Sequence, residues 1–316
     1  MRDLNRLLRH SLPISLALLT TALPILSSAA TQRLPALPLE QTSDAPTAPE
    51  PTREAGTCAN HRFVKTVALS RVWIPSAPAD ILNLGSGLSE AVATDLNREF
   101  GFRTTLVPAT RARDNAPAIG TFTRTGQIYF IRISGHDFLA TGHDSAWSFL
   151  GPSADPRSGT IDISIDNGAK GIEVAHTEIA AESVRIAPYQ PPIDARGRPF
   201  WSSTYGQSLQ QLAEHAARFI GQSLDCEPLT GQVIRVDGRE ITINRGADDG
   251  LRLSDRPLLL RRSDPVSLLG QETLPERHTL ESLGAADIVH LSHHTAMLRY
   301  PGNHIVQIGD LVQAGE

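Results

Sequence analysis

Aromatic side chains are scarce in this chain, at 5% of 316 residues, and methionine and cysteine occur only twice each. A core must therefore be built from Leu, Ile, Val and Ala rather than from stacked rings. Neither sign of charge dominates. Lys and Arg number 29 against 34 Asp and Glu, a formal net charge of −5. That balance leaves no electrostatic footprint for a nucleic acid or an anionic membrane surface. Long hydrophobic runs are missing too. The best, SLPISLALLTTALPIL, is interrupted by Pro13 and Pro24 and is shorter than the roughly 20 residues of a bilayer-spanning helix.

What that run does resemble is a secretory signal. Arg2, Arg6 and Arg9 precede it, and Ser28-Ala29-Ala30 supplies small residues at a cleavage point. Residues 1–30 are thus expected to be removed, leaving an acidic exported chain with no membrane span and no cysteine for a lipid. In an oxidising compartment, Cys58 and Cys226 are expected to form a structural disulfide. The competing reading is a pair of free thiols or a redox couple, although nothing here has the CxxC form. Closing so long a loop would stabilise by about 5 kcal/mol in the chain-entropy model.

Residues 31–57 are rich in Pro, Ala and Thr without periodicity, the composition of a flexible linker. The texture changes at Cys58. HRFVKTVALSRVW alternates as a strand, with Val64, Val67 and Leu69 in or beside the inward face. Leu84, Leu88, Val92, Leu96 and Phe100 recur every four residues, a helical stripe stopped by Gly101. RTTLVP, QIYFIRISGH, GTIDISIDN and the long, bent GIEVAHTEIAAESVRI follow as strands. PFWSSTYGQSLQQLAEHAARFIGQSLDC reads as one further helix. The class is α+β, with a mixed-sheet α/β-layer middle domain over residues 58–227. Beyond Glu227-Pro228, the runs QVIRV, REITIN, PLLLRR, ADIVHLS, TAMLR and HIVQIGDLV predict a small all-β barrel or sandwich over residues 228–316. The stretch PVSLLGQETLPERHTLESLG reads as a loop with a helical turn.

Candidate sites are few. Asp237-Gly238 between two alternating runs is a two-residue hairpin signal. Gly246-Ala247-Asp248-Asp249-Gly250-Leu251 lacks the Lys-Ser/Thr of a phosphate loop. It also lacks the alternating acids of a calcium loop, so Gly246 and Gly250 are read as turn residues. His290 and His294 on a continuous strand would stand about 13 Å apart, too far for one zinc; His293 and His304 lie nearby. His136-Asp137 and His143-Asp144 read as polar loop pairs. GLSEA, GQSLQ and GQSLD miss the nucleophile-elbow pattern and its preceding strand. Gly85-Ser86-Gly87 opens a helix, where capping explains it better than an anion site. Arg103, Arg111, Arg113, Arg261 and Arg262 are read as solvated, with docking of a partner as the sharper alternative. No catalytic, cofactor-binding or metal residue is assigned.

The pattern V-I-x-V-D-G-x-x-I-T-I-N-x-G-x-x-x-G-L, with Ile308-Gly309-Asp310-Leu311-Val312, resembles the C-terminal β domain of the flagellar assembly protein T family. KTVALSRVWIP, the G-L-S-E-A-V-A-T-D-L helix and YGQSLQQLAEHAARFIGQSLDCEPLTG resemble that family's middle domain. That domain is itself similar to the N-terminal domain of the Tol-Pal β-propeller protein. The likeness covers residues 58–316. The linker stands where the family has a further N-terminal domain, and Ser254-Asp255 stands where the family tends to Gly-Asp. The resemblance implies a non-enzymatic periplasmic protein of the flagellar basal body, forming an outer H-type ring around the P and L rings. Its implied partners are basal-body ring proteins, stator-associated periplasmic proteins and further copies of itself, with no nucleic acid and no cofactor. A Tol-like adaptor binding an envelope protein and a metal-dependent enzyme using the histidines are the competing functions.

Overall fold

The computed structural model describes residues 59–108, 128–138, 155–263 and 279–315, all within one compact unit. Two sheets organise it. The first is mixed and five-stranded, in the order β3-β1-β4-β6-β7. Its strands are β1 (Thr66–Ser70), β3 (Arg103–Val107), β4 (Tyr129–His136), β6 (Thr160–Asn167) and β7 (Ile172–Ala180). β1 pairs in parallel with β3 and β4, while β4–β6 and β6–β7 are antiparallel. Short pairs flank it: β2 (Ile81–Leu82) with β9 (Ile193–Asp194), and β5 (Asp155–Arg157) with β8 (Val184–Ile186).

Period-two alternation explains the sheet's inner face. Val67, Leu69, Ile131, Ile133, Ile161, Ile163 and Ile165 point one way into a single core. Two helices close it: α1 (Leu84–Phe100) and α3 (Thr204–Asp225). The α1 stripe of Leu84, Leu88, Val92 and Leu96 is buried as its spacing predicts. Gly101 ends the helix at φ 63, donating its N–H to the Leu96 carbonyl. Each fully buried Leu or Ile contributes about 1.5–3 kcal/mol. Gly85 and Gly87 are there for packing, since a Cβ would lie 2.3 Å from the Val72 carbonyl and 2.5 Å from that of Ala195.

The single helix expected after Pro199 is two. A short turn, α2 (Arg198–Trp201), stops before Ser203, whose hydroxyl accepts the Gly206 N–H at 3.1 Å and caps α3. A Cβ at Gly206 would strike the Phe200 carbonyl, so the chain must turn here to begin again. The long strand expected at residues 171–186 divides into β7 and β8 at its bend.

The second sheet is antiparallel and seven-stranded, in the order β13-β12-β16-β10-β11-β15-β14. Its members are β10 (Leu229–Asp237), β11 (Glu240–Ile243), β12 (Leu258–Ser263), β13 (Thr279–Ala285), β14 (Asp287–Leu291), β15 (Ala296–Arg299) and β16 (Leu311–Ala314). β10 serves both halves. Residues 229–232 pair with β16, and residues 233–237 pair with β11 after a register shift between Val233 and Arg235. Such a bulge is how a strand turns a corner from one layer to the next. At the far side, β13 and β14 are separated by Ala286 alone, so one bent stretch supplies both ends of the order. Side chains from both halves meet in one core with Val233, Ile243, Leu259, Leu298 and Val312. The arrangement is sandwich-like, with no closed barrel.

Two details differ from the sequence reading. The stretch expected to be a loop ends in β13, paired with β12 through a register shift that leaves Leu283 between the Gly284 and Ser282 pairings; residues 264–278 lie outside the described set. HIVQIGDLV is a strand only at its end. Before it, Gly309 at φ 96 and an Asp310 N–H bond to the Gln307 carbonyl at 3.1 Å make a turn.

Candidate functional site

Of the residues singled out in the sequence, the Gly246–Gly250 loop and Arg103 come together where the two sheets meet. The hairpin signal comes first. Asp237 pairs with Glu240, so the two central residues are Gly238 and Arg239 rather than Asp237 and Gly238. Only Gly238 takes positive φ, at 59°, the pattern of a turn with glycine at its first central position. Asp237 therefore stays in the strand.

The Gly246–Gly250 loop is a clamp. Residues 247–249 form one 3-10 turn, and Asp249, 1% exposed, accepts the Gly246 N–H at 2.8 Å. Its other oxygen receives Arg103 of β3 at 2.7 Å, and the same guanidinium reaches the Asp248 carbonyl at 3.1 Å. Gly250 sits at φ 90, and a Cβ there would lie 2.4 Å from the Arg62 carbonyl. Glycine is required twice over. Arg62 answers by donating to the Gly250 carbonyl at 2.9 Å and to Asp255 at 2.7 Å. Gly246 lies under the turn joining β14 to β15: Ala247 and Asp248 donate N–H bonds to the Ser292 and His293 carbonyls at 2.9 and 3.0 Å. A Cβ on Gly246 would meet both of those oxygens at 2.4 Å.

The leading segment supplies what sequence reasoning missed. Phe63 is 3% exposed and belongs to the core of the seven-stranded sheet, while Leu260 and Leu311 of that sheet join the core of the five-stranded one. Lys65 is buried beside it, donating to the Glu227 carbonyl and, at 3.5 Å, to that of Asn60. Burial pushes its pKa down to about 8, against the pull of Asp225 and Glu227. Tyr129 donates to Glu227 at 3.3 Å, and burial next to that carboxylate raises its pKa well above the phenol range. Arg245, lowered by burial, donates to the Thr230 carbonyl at 3.0 Å. Lys65, Tyr129, Thr230 and Arg245 line a cavity of about 10 Å³, room for a single water. Parity was the available signal: Phe63, Lys65, Val67 and Leu69 are buried at every second position although β1 begins only at Thr66, and Val64, expected beside the inward face, is only half-buried.

Cys226 ends α3 and is disulfide-bonded, with no free cysteine among the described residues; Cys58 itself lies outside them. The Cys226 carbonyl accepts the Asn60 amide at 2.9 Å, so this corner too ties the leading segment to the end of α3.

The remaining candidates are scattered. His293 and His294 face Asp248 at 3.1 and 3.4 Å, and the His293 hydrogen bond lowers the Asp248 pKa. His290 contacts Ser292 at 3.3 Å, and His304 is exposed. His136 lies near Asp162, Glu178 and Asp137 at 3.3, 3.6 and 3.7 Å on an open strand end. His143, Asp144, Arg111 and Arg113 lie outside the described residues. Among those described, no group of three or more His, Cys, Asp or Glu is placed to hold a metal ion. No described helix is long and apolar enough to cross a membrane. The arginines expected to be solvated are partnered instead: Arg103 as above, Arg261 with Asp310 at 2.7 Å, and Arg262 with the Gly168 carbonyl at 3.4 Å. Arg103 and Arg262 reach across to the other sheet, whereas Arg261 is held within its own by Asp310 and the Ile305 carbonyl.

No protein-family model matches this chain, and no curated protein matches it. Solved structures similar to it include the PelC dodecamer from Paraburkholderia phytofirmans, at 14% identity and TM-score 0.27, over 52% of this chain and 87% of that one. Lipoprotein GNA1162 from Neisseria meningitidis aligns at 12% identity and TM-score 0.32, over 50% and 99%. TolB from Acinetobacter baumannii aligns at 13% identity and TM-score 0.25, over 70% and 50%. TolB is the Tol-Pal protein to which the middle-domain resemblance extends. At these scores the likeness carries no argument about activity or partners.

Proposed function

We propose that this chain is an exported, non-enzymatic structural protein of the periplasm that helps form an outer ring of the flagellar basal body. In this reading it surrounds the P and L rings, supports assembly of the stator-associated ring and needs no cofactor. The observation that supports it most is the clamp. The loop that looked like a ligand site uses Gly246, Asp249 and Gly250 to fasten one sheet to the other through Arg62 and Arg103. A part under mechanical load needs its modules held at a fixed angle, and the C-terminal motif that resembles flagellar assembly protein T includes the loop of this clamp.

Electron cryotomography of basal bodies in cells lacking this chain tests the reading. Loss of an outer ring, with impaired swimming, is the expected result; an intact ring and normal swimming would overturn it. Cross-linked pull-down from periplasm separates a ring subunit from a Tol-like adaptor. Basal-body ring proteins should dominate the first case and a single envelope protein the second.

A further inference from the structure

Strand β7 is nine residues long and ends the five-stranded sheet with only β6 beside it. Its ladder bonds fall on alternate residues. The Ala181 N–H donates to the Gly159 carbonyl and the Gly168 N–H to that of Ile128, both at 2.7 Å. Odd residues of β6 therefore bond β7, and even ones bond β4. In the register that sets Thr160 against Ala180, it follows that His176, Glu178 and Ala180 turn their N–H and C=O groups away from the sheet. All three are exposed, and no backbone hydrogen bond among the described residues reaches that flank. Such a flank is a template for one more strand.

The side chains around it narrow the partner. His176 and Glu178 stand on the sheet's outer face, away from the helices, beside Asp162 and Ser164 of β6. The register sets Asp162 against Glu178 and Asp166 against Glu173, two like-charge pairs that work against the sheet. Arg132 offsets the second, donating to Asp166 at 2.9 and 3.2 Å. The first has only His136, 3.3 Å from Asp162 and 3.6 Å from Glu178, with Asp137 a third carboxylate at 3.7 Å. With the histidines neutral, these five carboxylates face one guanidinium. Charge that merely discourages sheet edges from sticking is needed on β7 alone, yet the strand behind it is acidic too. On the inner face, Ala175 and Ile179 are half-buried and leave apolar surface beside the edge.

We propose that β7 takes up an extended segment of a partner protein as a sixth strand, with lysine or arginine on the outer face and apolar residues between. A cation opposite Glu178 lies near Asp162 as well and relieves their repulsion, while the alternate apolar side chains cover Ile179. The register shift between Ile165 and Asp166 interrupts the regular ladder, so docking is confined to residues 175–180.

The inference goes beyond the ring reading and stands or falls separately, since its test uses the isolated full chain. The probe is the peptide acetyl-Thr-Lys-Val-Lys-Val-Lys-Thr-amide, titrated while backbone amide shifts and hydrogen exchange are followed. The same peptide with glutamate in place of lysine is the control. Saturable binding on the order of 1 mM is expected, with shifts centred on β7 and slowed exchange at His176, Glu178 and Ala180. Glu178→Gln should weaken it a few-fold and Glu178→Lys at least about tenfold. His176→Pro deletes one outward N–H without removing a ladder bond and should weaken it at least about fivefold. Absence of saturation in the wild-type chain, equal binding of the acidic peptide, or shifts centred away from β7 would overturn the proposal. Concentration-dependent pairing of the chain with itself, abolished by His176→Pro, would overturn it too by assigning the edge to a second copy.

Discussion

The two sheets solve the same burial problem with different means. The five-stranded sheet has two helices to cover its Ile and Val face, and takes in Leu260 and Leu311 from the other sheet. Among the described residues, no α-helix follows Asp225, beyond which the seven-stranded sheet begins. It folds over on β10 and on the β13–β14 bend, and completes its core with Phe63, carried in from ahead of β1. Helices bring a whole apolar stripe at once, whereas short strands bring two or three side chains each, and both cores borrow side chains across the junction.

The sharpest way to break this contrast is Phe63→Ala. It should cost about 4 kcal/mol, and hydrogen exchange should accelerate across β10 to β16 while α1 and β6 keep their protection. Uniform loss in both sheets would mean that the contribution is shared instead. Arg103→Ala is next. It leaves Asp249 buried without its cation, at a cost of about 3 kcal/mol by chemical denaturation; the double variant with Asp249→Asn should recover much of it. Gly250→Ala, strained at φ 90 and pressed against the Arg62 carbonyl, should cost about 2 kcal/mol and appear as a lower Tm.

Lys65 gives the smallest effect and the most specific. Its folded pKa of about 8 lies below the ordinary 10.5. Between those values the unfolded chain binds the extra proton, so stability rises with pH through that window and is flat below it. The gain is about 1–2 kcal/mol, less than the full shift because polar neighbours recover part of it. In Lys65→Met that rise should be missing from denaturation midpoints measured at pH 7.5 and 10.5.

Much of this architecture was legible from periodicity. The α1 stripe, its Gly101 stop and the isoleucine alternation of β6 need only local rules, and the structure follows them. The break at Ser203 was not, because a helix restart depends on Phe200 lying against Gly206, a contact that spacing alone does not reveal. The Gly246–Gly250 loop was read as a turn from its glycines, and the reason for those glycines is tertiary. Gly250 avoids the Arg62 carbonyl, 188 positions earlier. Arg103 and Arg261 looked solvated since a lone charge in a sequence carries no sign of its partner. Asp95 of α1 was invisible for the converse reason: an acid on the polar side of one helix is buried only when a second helix lies over it.

Strand β16 lies between β12 and β10, though it is made from residues 311–314 of the chain. Both neighbours therefore keep one flank unzipped until residues 311–314 dock, so the two halves of the sheet are joined by a strand remote from each of them in sequence.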